Sequence, residues 1–324
     1  IIDKSSQEPF FEYLFSKGFE LYIPTIINNE IDSIICLGKK LSKNPYTAED
    51  IEFLESIMNM SLISLHNYFL FQEYLSKQKI ESELIVAREI QIALLPNKIP
   101  ETKDYKISGL NMPALQIGGD YFDVIKLTED KLVLVIADVS GKGTPASLLM
   151  ASIQSAVHSY LKLYKEGEFN LAKVTEKINE LIYENTSSEK FITFFWGILD
   201  NKENTFEYIN AGHNPPLLLK NNEFRELTEG GFIIGILDVE MNYEIGKVHL
   251  EKDDLIVLYT DGVTEALDIN NEEYGETKLK EVIFSEKSKS PKEIINSIKD
   301  SLLEFSENMP QYDDITIIVL KKIS

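Results

Sequence analysis

Short apolar runs bounded by turns alternate along most of the chain with stretches in which apolar residues recur every three or four positions. The first pattern predicts strands and the second predicts helices. Because the helices come in pairs between groups of strands, the order favours stacked sheets flanked by helices, in the α+β class, over a parallel βαβ sheet. Strands are predicted at 105–110, 121–127, 132–139, 191–199, 205–210, 216–220, 243–250, 254–260 and 315–320, and helices at 145–163, 171–184, 274–284 and 291–305.

The first hundred residues have a different pattern. Two apolar runs within 20–38 flank a turn at Asn28 and Asn29, which predicts a hairpin. Neither Gly nor Pro occurs between Pro45 and Pro96, so one helix could run for about 45 residues, or about 70 Å. A helix of this length is unstable alone. Its imperfect apolar stripe predicts a parallel coiled-coil dimer, with packing against the chain's own domains as the alternative.

These patterns divide the chain into three expected parts: a sensor-like part at 1–70, a linker helix at 71–98 and a larger domain at 99–324. A strand pair followed by one long helix resembles the C-terminal half of a GAF domain. That resemblance implies that the complete GAF domain could bind a small ligand. The sequence begins at Ile1 without a start Met, so we expect it to be part of a longer chain.

Composition narrows the classes of function. The formal net charge of −21 repels nucleic acid, whose binding needs Lys and Arg contacts to phosphate. No apolar run approaches the roughly 20 residues of a membrane span. The single cysteine, Cys36, lies in an apolar run and is expected to be a small core residue. A reducing, cytoplasmic location is therefore expected.

Acidic residues stand at the ends of several predicted strands. An apolar run, an aspartate and a turn with glycine follow one another at Asp138 and again at Asp261, while Asp120 lies upstream and the pair Asp313 and Asp314 opens the last run. Each acid alone could be a turn residue or an edge charge that blocks aggregation. Together they suit a hard cation, which prefers oxygen ligands. We interpret them as converging on one two-metal site.

The motifs around these acids resemble those of the SpoIIE-type serine/threonine phosphatases, a branch of the metal-dependent (PPM, type 2C) protein phosphatases. The resemblance covers roughly 85–322 and implies an α-β-β-α sandwich. It is carried by GGDYFD at 118–123, ADVSGKG at 137–143, NAGHNPP at 210–216, YTDGVTE at 259–265 and DDIT at 313–316, after REIQ and LLP at 88–96.

The resemblance also implies a role for each site residue. Asp138 matches the acid that bridges two Mn²⁺ or Mg²⁺ ions, and the carbonyl of Val139 matches a ligand of one of them. Asp261 and Asp313 match acids on the other ion. Asp120 matches the acid that holds metal-bound waters or joins the second ion directly. Two such ions lower the pKa of a bridging water, and the hydroxide attacks phosphorus in line.

Some positions depart from the eukaryotic branch or have no assigned chemistry. Ser140 and Lys142 stand where that branch has a general-acid histidine, so the proton of the leaving group is expected to come from water. We expect His213 to be a hydrogen-bonded loop residue. We assign Asp123 and Asp314 to support of the fold around the metals.

The resemblance implies a phosphorylated protein as substrate, an anti-sigma-factor antagonist of the STAS class. We expect the N-terminal part to regulate the phosphatase and the linker helix to form a homodimer. A catalytically inactive dimeric signalling scaffold is the alternative, which the complete set of acids disfavours. A nuclease with two metals is disfavoured by the acidic charge and the lack of a basic stripe.

Overall fold

The computed structural model describes residues 13–14, 16–27, 30–163, 169–186, 190–237, 242–307 and 309–324. The chain divides into two compact units, Ile1–Ser82 and Glu83–Ser324. The longest helix, α1 (Ala48–Leu94), contains the boundary between them. Among the described residues, no helix has the length and apolar character needed to cross a bilayer.

The first unit contains the predicted hairpin and the beginning of the long helix. Strands β1 (Leu21–Ile27) and β2 (Glu30–Leu37) pair in antiparallel fashion. The predicted turn at Asn28 and Asn29 lies outside the described residues. Cys36 is partly buried, so the prediction of a core cysteine was wrong. A two-stranded sheet does not enclose both of its faces, and this explains the exposure.

Helix α1 begins at a reciprocal cap. The Asp50 N–H donates to Thr47 Oγ1 at 3.3 Å, and the Thr47 N–H donates to the Asp50 carboxylate at 2.7 Å. Two N–H groups that lack helical partners are satisfied in this way. The helix runs for 47 residues, which confirms the prediction of one long helix up to Pro96.

Among its described residues, the second unit contains two mainly antiparallel sheets and five helices shorter than α1. The six-stranded sheet has the order β10-β7-β6-β5-β4, with β11 paired to β7, and the five-stranded sheet has the order β3-β13-β12-β8-β9. The strands are β3 (Tyr105–Met112), β4 (Tyr121–Lys126), β5 (Lys131–Val139), β6 (Ile192–Asp200), β7 (Thr205–Ala211), β8 (Leu217–Lys220), β9 (Glu223–Glu226), β10 (Gly230–Gly231), β11 (Gly246–His249), β12 (Leu255–Tyr259) and β13 (Ile315–Lys322), and the helices are α2 (Thr144–Leu163), α3 (Leu171–Asn185), α4 (Asp261–Thr264), α5 (Gly275–Glu286) and α6 (Pro291–Phe305).

Three apolar cores separate four layers. Along β5, Val133 and Val135 pack toward α2 and α3, while Leu134 and Ile136 pack into the space between the sheets. The outer face of β12, with Val257 among its residues, packs against α5 and α6. Strands with both faces buried read as continuous apolar runs, as the sequence does here. The layers are helices, sheet, sheet and helices, which confirms the predicted α+β sandwich.

All predicted helices and strands of this unit are present. The structure has three further elements, and one predicted strand is shorter than expected. The additions are β9, β10 and α4. The run at 243–250 pairs only over Gly246–His249. β10 is two glycines held beside β7, and α4 is a single turn, so neither is long enough to produce a period in the sequence.

Candidate metal centre

In the central strands every second side chain faces the gap between the sheets, and this pattern continues past the last apolar residue of each strand. On β5, Ile136 faces the core between the sheets, and Asp138 is two residues further on. On β12, Leu258 faces the same core, and Thr260 is two residues further on. Because side chains on one face recur every second residue, both strands place a polar group at the edge of the gap between the sheets.

Asp120 lies at this edge and is almost fully buried, with 3% of its surface exposed. One of its carboxyl oxygens accepts hydrogen bonds from the Thr316 hydroxyl at 2.5 Å and the Thr260 hydroxyl at 2.9 Å. Burial raises the pKa of Asp120, and the neighbouring charge of Asp138 raises it further. Ionisation of one of these two acids therefore disfavours ionisation of the other.

The remaining predicted acids lie close enough to repel one another. Burial, together with the charges of Asp261 and Asp313, raises the pKa of Asp138 to about 7. Burial also raises the pKa of Asp261, with a contribution from Asp313. The structure thus brings Asp120, Asp138, Asp261 and Asp313 into one electrostatic cluster, hereafter the acid cluster.

The donor set of the acid cluster fits a hard divalent cation, because its side-chain donors are carboxylate oxygens. Among the described residues, however, no three acidic, histidine or cysteine side chains stand at the spacing of a ready-made metal site. The carbonyl of Val139 faces the backbone of Gly119, and its role as a ligand stays a prediction.

Asp314 holds the turn that carries Asp120. Its carboxylate accepts hydrogen bonds from the N–H groups of Gly119 at 2.6 Å and Ala114 at 2.7 Å. A side chain at Gly118 would place its Cβ 2.3 Å from the Asp314 carboxylate, so only glycine allows this approach. The supporting role expected for Asp314 is confirmed.

The end of α1 holds the other side of the same turn. Gln91 is buried, and its side-chain amide donates to the Gly118 carbonyl at 2.6 Å. The Gly118 N–H donates back to the Gln91 carbonyl oxygen at 3.1 Å. A double hydrogen bond therefore fixes Gly118, two residues from Asp120, to the helix.

Lys142 supplies a positive charge at the outer side of the acid cluster. Its ammonium lies 2.9 Å from the Asp313 carboxylate and 3.9 Å from the centre of the Tyr312 ring. It also donates to the Tyr312 carbonyl at 2.5 Å. The turn that carries it has Gly141 and Gly143 at φ of 94° and 71°, a conformation that favours glycine.

Two further polar residues of the motifs support the fold. Burial lowers the pKa of His213 to about 3, so the ring is neutral, and its Nδ1 is hydrogen-bonded to Thr193 Oγ1 at 2.9 Å. A neutral, buried ring of this kind agrees with the expected loop role. Asp123 accepts a hydrogen bond from Tyr121 OH at 3.1 Å and is bonded to His158 of α2 at 2.7 Å.

Sequence reasoning missed the two threonines that hold Asp120 and the contact that Gln91 makes. A signal for the threonines was present, because Thr260 directly precedes Asp261 and Thr316 stands two residues after Asp314, on the inward face of its strand. Gln91 lies within the predicted long helix, but its partner, Gly118, is 27 residues away in the sequence, and no sequence pattern links the two.

The sequence matches one family model and is similar to a phosphatase of known function. The model of the family described as Stage II sporulation protein E (SpoIIE) matches residues 128–322. The phosphoserine phosphatase RsbU of Bacillus subtilis (strain 168) is 31% identical over 297 residues, which cover 90% of this chain and 86% of RsbU.

Solved structures show the same fold. The SiaA-PP2C domain of Pseudomonas aeruginosa has a TM-score of 0.66 and 20% identity, over 76% of this chain and 98% of that domain. RsbX in complex with magnesium has a TM-score of 0.52 and 17% identity, over 69% of this chain and 98% of RsbX.

Proposed function

The chain belongs to the SpoIIE family and is a serine/threonine protein phosphatase, and we propose that its acid cluster holds two divalent cations for the hydrolysis of phosphoserine or phosphothreonine. The observation that carries the proposal is the convergence of four aspartates on one edge of the sandwich, where burial and mutual charge raise the pKa of Asp138 to about 7. Buried carboxylates that repel one another are stabilised by a cation and destabilised without one.

Each ligand in this proposal comes from the end of a strand or from a turn. Asp138 would bridge Mn²⁺ or Mg²⁺ ions, with the Val139 carbonyl on one of them and Asp261 and Asp313 on the other. Asp120 would hold metal-bound waters or join the second ion directly. When bound, two such ions activate water and polarise phosphoryl oxygens. The magnesium complex of a protein with the same fold supports this choice of cation.

The chain's own residues orient and polarise this site. Thr260 and Thr316 fix one oxygen of Asp120 by hydrogen bonds. Lys142 places a positive charge beside Asp313, where it can attract a phosphate dianion. His213 is neutral and buried, so we infer that the leaving alkoxide takes its proton from water.

We also propose the partners that the family resemblance implies. RsbU is a phosphoserine phosphatase and its similarity extends over most of the chain, which supports a phosphorylated regulatory protein, an anti-sigma-factor antagonist of the STAS class, as substrate. We further propose a homodimer through α1 and a cytoplasmic location. The proposed domains are a GAF-like sensor at 1–70, which in its complete form would bind a small ligand, a linker at 71–98 and a phosphatase domain at 99–324.

Hydrolysis of a small phosphate ester tests the proposal. The wild-type chain is assayed with Mn²⁺, with Mg²⁺ and with a chelator, beside Asp138→Ala and the control Asp130→Ala, which removes an exposed turn acid. We expect activity only with metal, a loss of roughly a hundredfold or more in Asp138→Ala, and near wild-type rates in the control. A wild-type chain that is inactive with both metals would indicate the scaffold alternative.

A further inference from the structure

A groove opens directly beside the acid cluster. It lies between the end of α6, the residues that follow Asp261 and the segment that leads into Asp313, and its space is about 620 Å³ including the part open to solvent. Of its lining residues, Asp313 is itself a proposed metal ligand and Gly262 directly follows another, Asp261. The described residues that line it are Met112, Gly262, Glu265, Ala266, Leu267, Lys299, Leu302, Leu303, Ser306, Met309, Pro310, Gln311, Tyr312, Asp313 and Ile315.

The walls of the groove are apolar and remain accessible. Leu303 and Met309 are each about half exposed, at 49% and 45%, and Tyr312 is 68% exposed. Large apolar side chains that gather around one concave surface mark a binding site more often than scattered ones do. Tyr312 also carries the Lys142 ammonium on its ring, so one wall of the groove is joined to the acid cluster.

Charge at the inner end of the groove restricts what can bind there. Glu265 and Asp313 line that side, and Lys299 is the only cation among the described lining residues. An acidic side chain from a ligand would meet two carboxylates, whereas an aliphatic side chain would contact Leu303 and Met309. The groove therefore disfavours an acidic group, and its apolar walls favour an apolar one.

We propose that this groove receives an apolar side chain of the phosphoprotein substrate, from a residue within about three positions of the phosphorylated one. The inference rests on the proposed function, since a phosphate held over the acid cluster brings its own chain to the mouth of the groove through Asp313. Three extended residues span roughly 10 Å, which limits the side chains that can reach it. The groove would thus select substrates by local sequence, while the acid cluster carries out the hydrolysis.

Phosphoserine peptides test the proposal on the unaltered chain. A set with Ala at each position from −3 to +3 is compared with sets in which Leu or Asp replaces Ala at one position, all with Mn²⁺. We expect Leu at one position to raise kcat/KM about tenfold or more over Ala, because burial of a few methylene groups discriminates to this degree. Asp at that position should lower it.

Variants then locate the selecting surface. Leu303→Ser and Met309→Ser change half-exposed side chains, and Ile245→Ser is a matched control at an exposed apolar residue that lines neither the groove nor the acid cluster. The groove variants should lose most of the Leu preference and keep wild-type hydrolysis of a small phosphate ester. The control should keep both.

The outcomes separate this inference from the function on which it rests. Hydrolysis of the small ester with equal kcat/KM for Leu, Ala and Asp peptides would overturn the groove and leave the phosphatase standing. A Leu preference that survives both groove variants would place selection elsewhere and also overturn it. No hydrolysis of the small ester with either metal would overturn the proposed function and this inference together.

Discussion

Asp120 and Asp314 lie in one hydrogen-bond network, but their carboxyl groups have different surroundings. Asp314 accepts backbone N–H groups from Ala114 and Gly119 and so holds a turn in place. Asp120 accepts from two hydroxyl groups, and burial and the charge of Asp138 raise its pKa. Backbone donors cannot be withdrawn without refolding the turn, whereas a proton held on a buried acid can leave when a cation arrives. The partners of each acid, and not its residue type, distinguish the supporting role of Asp314 from the ligand role proposed for Asp120.

The raised pKa of Asp138 makes a prediction about the metal-free protein. The folded state keeps a proton on this group up to about pH 7, whereas the unfolded state loses it near pH 4. The stabilising contribution is therefore fully present below about pH 4 and is lost as the pH rises through about 7. We expect the melting temperature in chelator to fall between pH 5 and pH 8, and to fall less in Asp138→Asn.

The same relation between pKa and stability sets the expected size of the effect of Asp138→Asn. A shift from about 4 to about 7 sets a ceiling of about 4 kcal/mol on the gain of stability of Asp138→Asn at pH 8. Asp130→Asn, at an exposed turn position, should follow the wild-type curve. Parallel pH profiles for wild type and Asp138→Asn would show that the charge of Asp138 is not costly to the fold.

Residues that act locally could be predicted from the sequence, and those that act across the fold could not. The acids at Asp138 and Asp261 are visible because each directly follows an apolar strand. The bond between Asp120 and Thr316 joins positions 196 residues apart, and it depends on which strands are neighbours in each sheet. Sequence periods fix which face a residue occupies but not which strand lies opposite.

At the scale of elements, the last turn of α1 is connected to the turn that carries Asp120. The side chain of Gln91 both donates to and accepts from the backbone of Gly118. A displacement of the helix end would have to break this pair or move the turn with it. We therefore expect bending or rotation of the helix near 87–95 to reposition Asp120.

Gln91→Ala tests that connection. The change removes both hydrogen bonds and leaves the buried N–H and carbonyl of Gly118 without their partner, which costs about 1–3 kcal/mol. Because Asp120 is two residues away, we expect Mn²⁺ affinity, measured by titration calorimetry, to fall by about tenfold. Ile90→Ala, at a neighbouring position that is 61% exposed, is the matched control and should bind as wild type does.

Two outcomes of the Gln91 experiment have opposite meanings. A fall in both Mn²⁺ affinity and hydrolysis, with rescue of hydrolysis at saturating Mn²⁺, would show that the helix end acts through the geometry of the metal site. Unchanged affinity and unchanged activity would mean that the helix only adjoins the turn and does not control it.

At the scale of the whole molecule, α1 presents an unusual amount of exposed apolar surface. The exposed apolar side chains along it are Phe53, Ile57, Met60, Ile63, Leu65, Tyr68, Phe69, Leu70, Phe71, Tyr74, Leu75, Ile80, Ile85, Val86, Ile90 and Ile92. Single exposed apolar residues are normal, but this many on one helix are typical of a surface that another molecule covers. A second copy of the same helix offers equally apolar side chains, which supports the proposed homodimer.

Acidic residues introduced on the apolar surface of α1 should prevent the proposed dimer from forming. Phe71→Glu combined with Leu75→Glu places two acids one turn apart on one side of the helix, where a paired helix would bring like charges together in apolar surroundings. By light scattering after gel filtration, we expect a dimer of the wild-type chain at about 50 μM and a monomer of the double variant. Leu41→Glu, at an exposed position outside the helix, should remain dimeric. A monomeric wild-type chain at that concentration would contradict the homodimer, and a dimeric double variant would place its interface away from residues 71–75.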